Sequence, residues 1–243
     1  MNARSRRPAR SPEITHLFFD AGNTLVYVNM EVVADALRRE GLRAEPGDLW
    51  RAEHRARRAV DDPAIIRGST DRTRWTLYFS SILREWGLRE PRRIHRVLRT
   101  LEARHARANL WEVVPPEVPP ALDRLRGRFR LAVISNSNGT VRRKLGQVGL
   151  LPYFDLVVDS HEEGIEKPDP RIFRLALERL RASPARAVHV GDFYHIDVEG
   201  ARAAGLRPVL LDPGETHRDK PVRRIRDLRE LPACVDGRSP APV

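Results

Sequence analysis

Short runs of apolar residues recur along the chain and predict buried strands. Five runs have this character and are partly β-branched: residues 14–19, 129–134, 156–158, 187–190 and 208–211. Helical periodicity separates the later runs, at residues 119–126, 140–148, 170–181 and 197–204. Strands that alternate with helices are typical of a parallel sheet, whose ligands lie at the carboxyl ends of the strands. The pattern therefore predicts an α/β fold with a Rossmann-like parallel sheet.

The stretch between the first two predicted strands has a different pattern. Residues 27–110 contain no convincing strand, and helical periodicity covers residues 31–40, 47–60, 71–86 and 92–108. Residues 111–120 hold four prolines and predict a stiff hinge. We therefore expect an all-helical domain, residues 27–110, inserted into a core domain of residues 13–26 and 111–235. An insert that leaves and rejoins the core beside the first strand is well placed to act as a lid.

Size and composition narrow the class of protein. A chain of 243 residues with 41% hydrophobic residues is long enough for a real core, and no apolar run approaches the roughly 20 residues of a membrane span. Residues 1–12 are basic, lack the apolar segment of a secretory signal and predict a disordered leader; residues 236–243 predict a flexible tail. The single cysteine, Cys234, excludes an internal disulfide and fits a reducing cytoplasm.

The net charge of +11 raises the question of a nucleic-acid partner. The basic residues are spread along predicted helices with Asp and Glu nearby and form no single block, so we interpret them as solvated helix faces and expect no nucleic-acid partner. Only three of the 44 basic residues are lysine, namely Lys144, Lys167 and Lys220. In such a chain a lysine is the unusual choice of cation, which draws attention to Lys167.

Polar side chains follow four of the predicted strands. They are Asp20 and Thr24, then Ser135 and Asn136, then Lys167, and finally Asp192 and Asp197. Clustered carboxylates without His or Cys suit a hard cation such as Mg²⁺, and a lysine with hydroxyl donors suits the oxygens of a phosphoryl group. A carboxylate beside the metal can attack phosphorus and form an aspartyl-phosphate.

These four motifs, in this order over residues 14–212, resemble the haloacid dehalogenase-like (HAD) hydrolase superfamily. The helical insert resembles the C1 cap of its subfamily I. The resemblance implies Asp20 as nucleophile and Lys167 as its catalytic partner. It implies a Mg²⁺ site formed by Asp20, the carbonyl of Gly22, Asp192 and Asp197. The phosphate-binding residues that it implies are Thr24, Ser135, Asn136 and Lys167.

One position departs from the pattern of the phosphatases in this family. They usually carry an Asp two residues after the nucleophile, as general acid and then general base, where this chain has Gly22. Such help is worth about 10²–10⁴-fold. His195, Asn23, a cap residue or the substrate are candidates to replace it.

Three hypotheses for the function follow from this departure. The first is a Mg²⁺-dependent phosphatase of a small phosphorylated metabolite with weakened acid–base catalysis. The second is a non-catalytic protein that binds a phosphorylated ligand or a partner. The third is a dehalogenase-like hydrolase, whose family branch needs no metal and lacks the Gly-Asp pair of the fourth motif. Gly191-Asp192 favours the phosphatase, and the absence of lysine from residues 27–110 argues against a cap Schiff base as used by phosphonatases. The substrate and the oligomeric state, monomer or homodimer, stay open.

Overall fold

A computed structural model of the chain describes residues 13–236. The predicted leader, and the predicted tail beyond Asp236, lie outside these residues. Eight strands follow one another in this part of the chain: β1 (His16–Phe19), β2 (Tyr27–Val28), β3 (Trp111–Val113), β4 (Arg130–Ser135), β5 (Leu156–Asp159), β6 (Ala187–Gly191), β7 (Arg207–Leu211) and β8 (Arg223–Ile225). Six of them form one parallel sheet in the order β5-β4-β1-β6-β7-β8. The predicted α/β class and parallel sheet are thereby confirmed.

Helices cover both faces of this sheet, which explains why its strands read as unbroken apolar runs. Leu17 and Phe19 pack on one side with α6 (Val118–Arg126) and α7 (Val141–Gln147). Phe18, which points to the opposite side, packs with α9 (Pro170–Leu180) and α10 (Glu199–Ala203). The short helix α8 (Ser160–Glu163) precedes α9, and α11 (Leu231–Val235) follows β8. A strand that is buried on both faces has no polar alternation, so periodicity alone does not separate it from a buried helix.

The stretch between β2 and β3 is entirely helical. It contains α1 (Met30–Arg39), α2 (Pro46–Val60), α3 (Pro63–Arg67), α4 (Asp71–Trp86) and α5 (Pro91–Arg107). We call this stretch, residues 29–110, the insert. Its helices share an apolar cluster that is separate from the clusters of the sheet. The division that makes residues 27–110 a domain of their own stays a prediction. None of the helices within residues 13–236 is long and apolar enough to cross a membrane.

A short antiparallel ribbon joins the two ends of the insert to the core. Tyr27 of β2 pairs with Val113 of β3, and Val28 pairs with Trp111. The sequence predicted neither strand, because elements of two and three residues are too short to show a period. β8 was missed for the same reason, and α3 is a single short turn. The segment predicted as a hinge therefore begins with a hydrogen-bonded strand.

The insert is held to the core at Asp61, the residue that follows α2. Its carboxylate accepts hydrogen bonds from the backbone N–H groups of Tyr194 (2.6 Å) and His195 (3.0 Å). It also lies 3.2 Å from Nε2 of His217. These bonds shape the chain after β6, where residues Tyr194–Val198 form a π-helical turn that leads into α10. The helix predicted at 197–204 is therefore shorter and begins later than expected.

This contact predicts a pH-dependent stability. Burial disfavours the His217 cation, but hydrogen bonds to Asp212 and Asp61 more than offset it and raise the pKa of His217. The protonated form therefore favours the folded state, so its contribution is complete below the ordinary pKa of about 6.5 and is lost as the pH rises through the raised value. We expect His217→Asn to lower the free energy of unfolding by about 1–3 kcal/mol at pH 5.5. The loss should shrink at pH 9.

Urea unfolding at both pH values measures this difference. The matched control is His95→Asn, because His95 is an exposed histidine on α5. An equal loss of stability for His217→Asn at both pH values would show that its charge does not hold the insert to the core.

Candidate active site

The carboxyl ends of β1, β4 and β6 open into a cavity of about 880 Å³, walled by both the core and the insert. This volume is in the range of small-molecule sites, roughly 300–1,000 Å³. Seven of the eight residues singled out in the sequence line it: Asp20, Gly22, Ser135, Asn136, Lys167, Asp192 and Asp197. The eighth, Thr24, does not. The loops that follow separate strands thus meet where the parallel sheet predicts.

Lys167 joins all four of these loops. Its Nζ donates to Asp20 Oδ1 at 2.6 Å and to Asp197 Oδ1 at 2.7 Å. Its backbone N–H donates to Oδ1 of Asn136 (2.8 Å), whose amide nitrogen donates back to the Lys167 carbonyl (2.9 Å). One completely enclosed lysine, only 2% exposed, therefore sets the spacing between the nucleophile candidate and the other motifs.

The charges of this cluster follow from its burial and its ion pairs. Burial raises the pKa of Asp20 to about 6, although Lys167 opposes the rise. Burial also works against the Lys167 cation, but Asp197 and Asp20 more than compensate and raise its pKa. The pKa of Asp197, unlike that of Asp20, is lowered, because the effects of Lys167 and His189 outweigh that of burial. Around neutral pH the cluster holds a lysine cation between two carboxylates.

Steric crowding explains why the residue before Asp192 in the fourth motif is a glycine. A Cβ atom at Gly191 would lie 2.2 Å from Cγ of Asp197, so only glycine lets that carboxylate fold back over the strand. There the Asp197 carboxylate accepts hydrogen bonds from Nζ of Lys167 and from the backbone N–H of Phe193 (3.1 Å). It also lies 2.9 Å from Nε2 of His189. Its oxygens are thus occupied by donors, so the structure gives Asp197 the task of holding Lys167. The metal contact expected for it stays a prediction.

Unlike Asp197, whose carboxylate oxygens accept from donors, Asp192 has one oxygen that is buried without a hydrogen-bond partner among the described residues. The nearest cation is Arg57 of α2, whose guanidinium lies 3.4 Å from that oxygen, Oδ2. Arg57 is itself buried and forms a bidentate pair with Glu53 one turn away. Burial raises the pKa of Asp192 well above its usual range, and Arg57 acts against this.

These groups form a small oxygen donor set that suits Mg²⁺. Within residues 13–236 no group of three or more His, Cys, Asp or Glu side chains is arranged to hold a metal ion. Mg²⁺ does not need one, since it is usually bound by one or two carboxylates with waters and substrate phosphate filling the octahedron. Asp20, the Gly22 carbonyl and the unsatisfied oxygen of Asp192 meet that requirement. The nearby Arg57 cation is the feature that works against it.

The predicted phosphate-binding residues divide into two groups. Ser135 is buried at the end of β4 and lines the cavity, and its Oγ has only a long contact of 3.4 Å to the Asn136 carbonyl, so its hydroxyl can serve a ligand. Asn136 uses both ends of its amide on the backbone of Lys167 and acts there as a clamp. Thr24 is fully buried behind the cavity wall, and its hydroxyl has no partner among the described residues. The phosphate contact expected of the Thr24 side chain stays a prediction, and its hydroxyl does not line the cavity.

The position of the missing Asp is filled by an aromatic ring. A Cβ atom at Gly22 would lie 3.2 Å from Nε1 of Trp111, the first residue of β3. The indole N–H donates to Oδ1 of Asn23 at 3.1 Å, and the Asn23 amide donates to the hydroxyl of Tyr78 at 3.0 Å. Tyr78 in turn donates to Glu53 at 2.7 Å. Glycine at this position therefore accommodates the indole that covers it.

Two candidates for the missing acid are excluded by their contacts. His195 does not line the cavity, and its Nδ1 lies 2.8 Å from the carbonyl of Asp61 and 3.1 Å from its carboxylate. Asn23, in a left-handed conformation, has its amide occupied by Trp111 and Tyr78. The insert contributes Glu102 and His105 to the cavity.

Sequence reasoning missed the residues that reach the site from the insert. They are Glu53, Arg57, Arg74, Tyr78 and His105, together with Trp111 of β3, which directly follows the insert. Nη2 of Arg74 donates to the carboxylate of Glu166 at 3.0 Å and so connects α4 to the loop that carries Lys167. These are ordinary residues of helical patterns, and only their position in space marks them. The rarity of lysine gives no signal for these residues, but it applies to Lys144 of α7, which lines the cavity together with Lys167.

Comparison with known proteins agrees with this arrangement. A family model described as haloacid dehalogenase-like hydrolase matches residues 14–205. The chain is 29% identical to Haloacid dehalogenase-like hydrolase domain-containing protein 3 of Homo sapiens, over 94% of this chain and 97% of that protein. It is 43% identical to Phosphoserine phosphatase of Thermus thermophilus, although over only 48% of this chain and 49% of that protein.

A solved structure is similar over nearly the whole chain. It is the crystal structure of 2-Haloacid Dehalogenase from Pseudomonas syringae pv. Tomato, with a TM-score of 0.57 and 29% identity. The match covers 93% of this chain and 99% of that one. The proteins that resemble this chain thus include both phosphatases and dehalogenases.

Proposed function

The chain belongs to the haloacid dehalogenase-like hydrolases, and on that premise we propose that it is a Mg²⁺-dependent phosphatase of small phosphorylated metabolites. The reaction proceeds through an aspartyl-phosphate on Asp20. The observation that carries the proposal is the position of Lys167, whose hydrogen bonds join the loops of Asp20, Asn136 and Asp197 around one cavity. The 43% identity to a phosphoserine phosphatase over half the chain supports it.

Each side chain has a task that follows from its contacts. Asp20 supplies the attacking carboxylate oxygen, and Lys167 holds it in place through Oδ1 while offering positive charge to the phosphoryl oxygens. Ser135 can donate its hydroxyl to the same oxygens. Asp197 and Asn136 fix the side chain and the backbone of Lys167. A divalent metal held by Asp20, Asp192 and the Gly22 carbonyl would supply the positive charge that lets one anion attack another.

Proton transfer is the weak part of this site. Gly22 has no side chain to protonate the leaving oxygen, and the indole of Trp111 stands in that space. An indole N–H is a donor that does not ionise in the physiological range and cannot act as a base. Turnover therefore depends on the substrate, so esters with good leaving groups are hydrolysed faster than alkyl phosphates.

The retained acid of the fourth motif favours a phosphatase over a dehalogenase. A dehalogenase needs no metal, whereas this chain keeps Asp192 with a buried, unsatisfied oxygen next to the nucleophile. A protein that only binds a phosphorylated ligand would need Lys167 and Ser135 but would have no use for a nucleophile at Asp20.

Metal-dependent hydrolysis tests the proposal directly. The purified protein is assayed with p-nitrophenyl phosphate in Mg²⁺ and in a chelator, and with 2-chloropropionate in the chelator. We expect release of p-nitrophenol only with Mg²⁺ and no release of chloride. Chloride release without metal would make the protein a dehalogenase, and no reaction on either substrate would favour the binding protein.

A further inference from the structure

A second group of polar residues lines the cavity and belongs to none of the four motifs. It consists of Trp75 on α4, His105 near the end of α5, Asn109 in the following turn and Lys144 on α7. We call these four residues the donor wall. The insert supplies three of them and the core supplies Lys144, so the wall exists only where the two parts meet over the cavity.

Lys144 is a cation without a protein partner. Its amine makes no hydrogen bond and no ion pair with any residue of the described part of the chain, while the side chain is only partly exposed. The other basic residues of the cavity, Arg74 and Lys167, are paired with Glu166 and with Asp20 and Asp197. Burial, with Arg104 and Arg143, lowers the pKa of Lys144, and Glu112 only partly opposes this. An anionic ligand would stabilise the charge that the protein leaves unpaired.

The other members of the wall also present donors, because their acceptor atoms are already used. Nδ1 of His105 accepts from the backbone N–H of Leu110 at 3.2 Å, so the neutral ring keeps its proton on Nε2. Burial and the nearby Lys144 lower the pKa of His105, which favours that neutral form. Oδ1 of Asn109 accepts from the backbone of Trp111 at 2.9 Å, which leaves the amide nitrogen as donor.

The indole of Trp75 completes the set. Its N–H is buried and has no hydrogen-bond partner among the described residues. A buried donor without a partner costs free energy, and an acceptor atom of a ligand would recover that free energy once the wall adjusts around it. Two glutamates also border the cavity: Glu102 is an exposed residue, and Glu166 is paired with Arg74. The wall therefore holds one unpaired cation and three neutral donors, and its own acceptors are satisfied.

We propose that the donor wall binds a second anionic group of the substrate. The substrate is then a phosphomonoester that also carries a carboxylate. This inference rests on the proposed function, since it assumes that the first phosphate binds at Asp20, Ser135 and Lys167. A cavity of about 880 Å³ has room for a ligand that extends from that cluster to the wall. Lys144 is the residue that gives the wall its preference for charge.

Matched pairs of substrates test this proposal. In the presence of Mg²⁺, kcat/KM is measured for 2-phosphoglycolate against ethyl phosphate and for 3-phosphoglycerate against glycerol 3-phosphate. The members of the first pair differ by a carboxylate in place of a methyl group. We expect the wild-type protein to prefer the carboxylate in at least one pair by about tenfold or more, as a charge-assisted hydrogen bond implies. Lys144→Met should reduce that ratio at least about tenfold.

Two variants control for the charge and for the helix. Lys144→Arg keeps the charge and should retain most of the preference. Arg143→Met removes the neighbouring charge from the same helix, but Arg143 is exposed and does not line the cavity, so the ratio should stay at the wild-type value. A wild-type protein without preference in either pair, or a preference that survives Lys144→Met, would overturn the proposal.

Calorimetry separates this proposal from the proposed function. Binding of 2-phosphoglycolate and ethyl phosphate is measured on Asp20→Asn, with and without Lys144→Met, in Mg²⁺. If no substrate is hydrolysed but binding still shows a preference that needs Lys144, the donor wall stands and the phosphatase does not. If hydrolysis is metal-dependent while neither kcat/KM nor binding responds to Lys144, the phosphatase stands and the donor wall does not.

Discussion

Replacing Asp20 by asparagine is expected to lower kcat for p-nitrophenyl phosphate by about 10⁴-fold or more, the size of effect seen when a covalent nucleophile is removed. An amide oxygen is a poor nucleophile at phosphorus, and the variant also loses the charge that helps to hold a divalent metal. The protein should remain folded, because Asp20 is buried with a pKa raised to about 6 and Lys167 keeps Asp197 as its ion-pair partner. The loss is therefore a loss of chemistry and not of structure.

The control for Asp20→Asn is Asp123→Asn. Asp123 lies on α6 with its carboxylate 60% exposed, and it makes only long contacts, 4.0 Å to Arg126 and 3.4 Å from the hydroxyl of Tyr153, which donates to it. Its neutralisation should leave both kcat and the unfolding temperature at wild-type values. Mass spectrometry of protein mixed with substrate and quenched in acid should find a phosphoryl group on the wild-type protein and none on Asp20→Asn. Full metal-dependent activity of Asp20→Asn would remove Asp20 from the mechanism.

The sheet could be predicted because its strands have a local signature. Apolar runs such as the one that ends at Phe19 are buried on both faces, and each ends at a polar loop. The parallel order of the strands then brings those loops to one edge without any knowledge of side-chain packing. The two-residue strand β2 has no such signature, because it forms only by pairing with β3, 83 residues further along the chain. The π-helical turn at Tyr194 has none either, because a carboxylate of the insert, that of Asp61, shapes it.

Roles within the site were harder to predict than positions. Asn136 and Asp197 lie at the cavity, but their contacts direct them to Lys167. Thr24 lies only four residues from the nucleophile, yet the turn buries its hydroxyl. Spacing along a chain specifies which loop a residue occupies. It does not specify which way the side chain turns, because that depends on partners far away in sequence.

Arg57 illustrates what the sequence could not show. It stands in a helix rich in arginine, and nothing local distinguishes it from Arg55 or Arg58. In the structure it is 3% exposed and lies against Asp192, while Arg55 and Arg58 are exposed and pair with Glu85 and Asp219. The insert thereby brings a permanent cation next to the acid that a metal would use. Repulsion between the two cations would weaken metal binding, although Glu53 neutralises part of the charge of Arg57.

Restoring an acid at position 22 should raise turnover only when space is made for it. Gly22→Asp alone places Cβ 3.2 Å from the Trp111 indole, tighter than ordinary contact, and a carboxylate beyond it meets the ring. We therefore expect this single variant to show no gain. In a Trp111→Leu background, which removes the indole nitrogen and part of the ring, Gly22→Asp should raise kcat for an alkyl phosphate by about 10²–10⁴-fold over Trp111→Leu itself.

The comparison between Trp111→Leu and the double variant isolates the acid, because both have lost the indole and its bond to Asn23. Gly22→Asn in the same background is the matched control, since it has the size of the acid and cannot ionise. The gain should be larger for an alkyl phosphate than for p-nitrophenyl phosphate, whose leaving group needs little protonation. If Gly22→Asp and Gly22→Asn give equal rates in that background, another group already supplies the proton. Glu102 and His105 are then the nearest candidates, because both face the cavity from the insert.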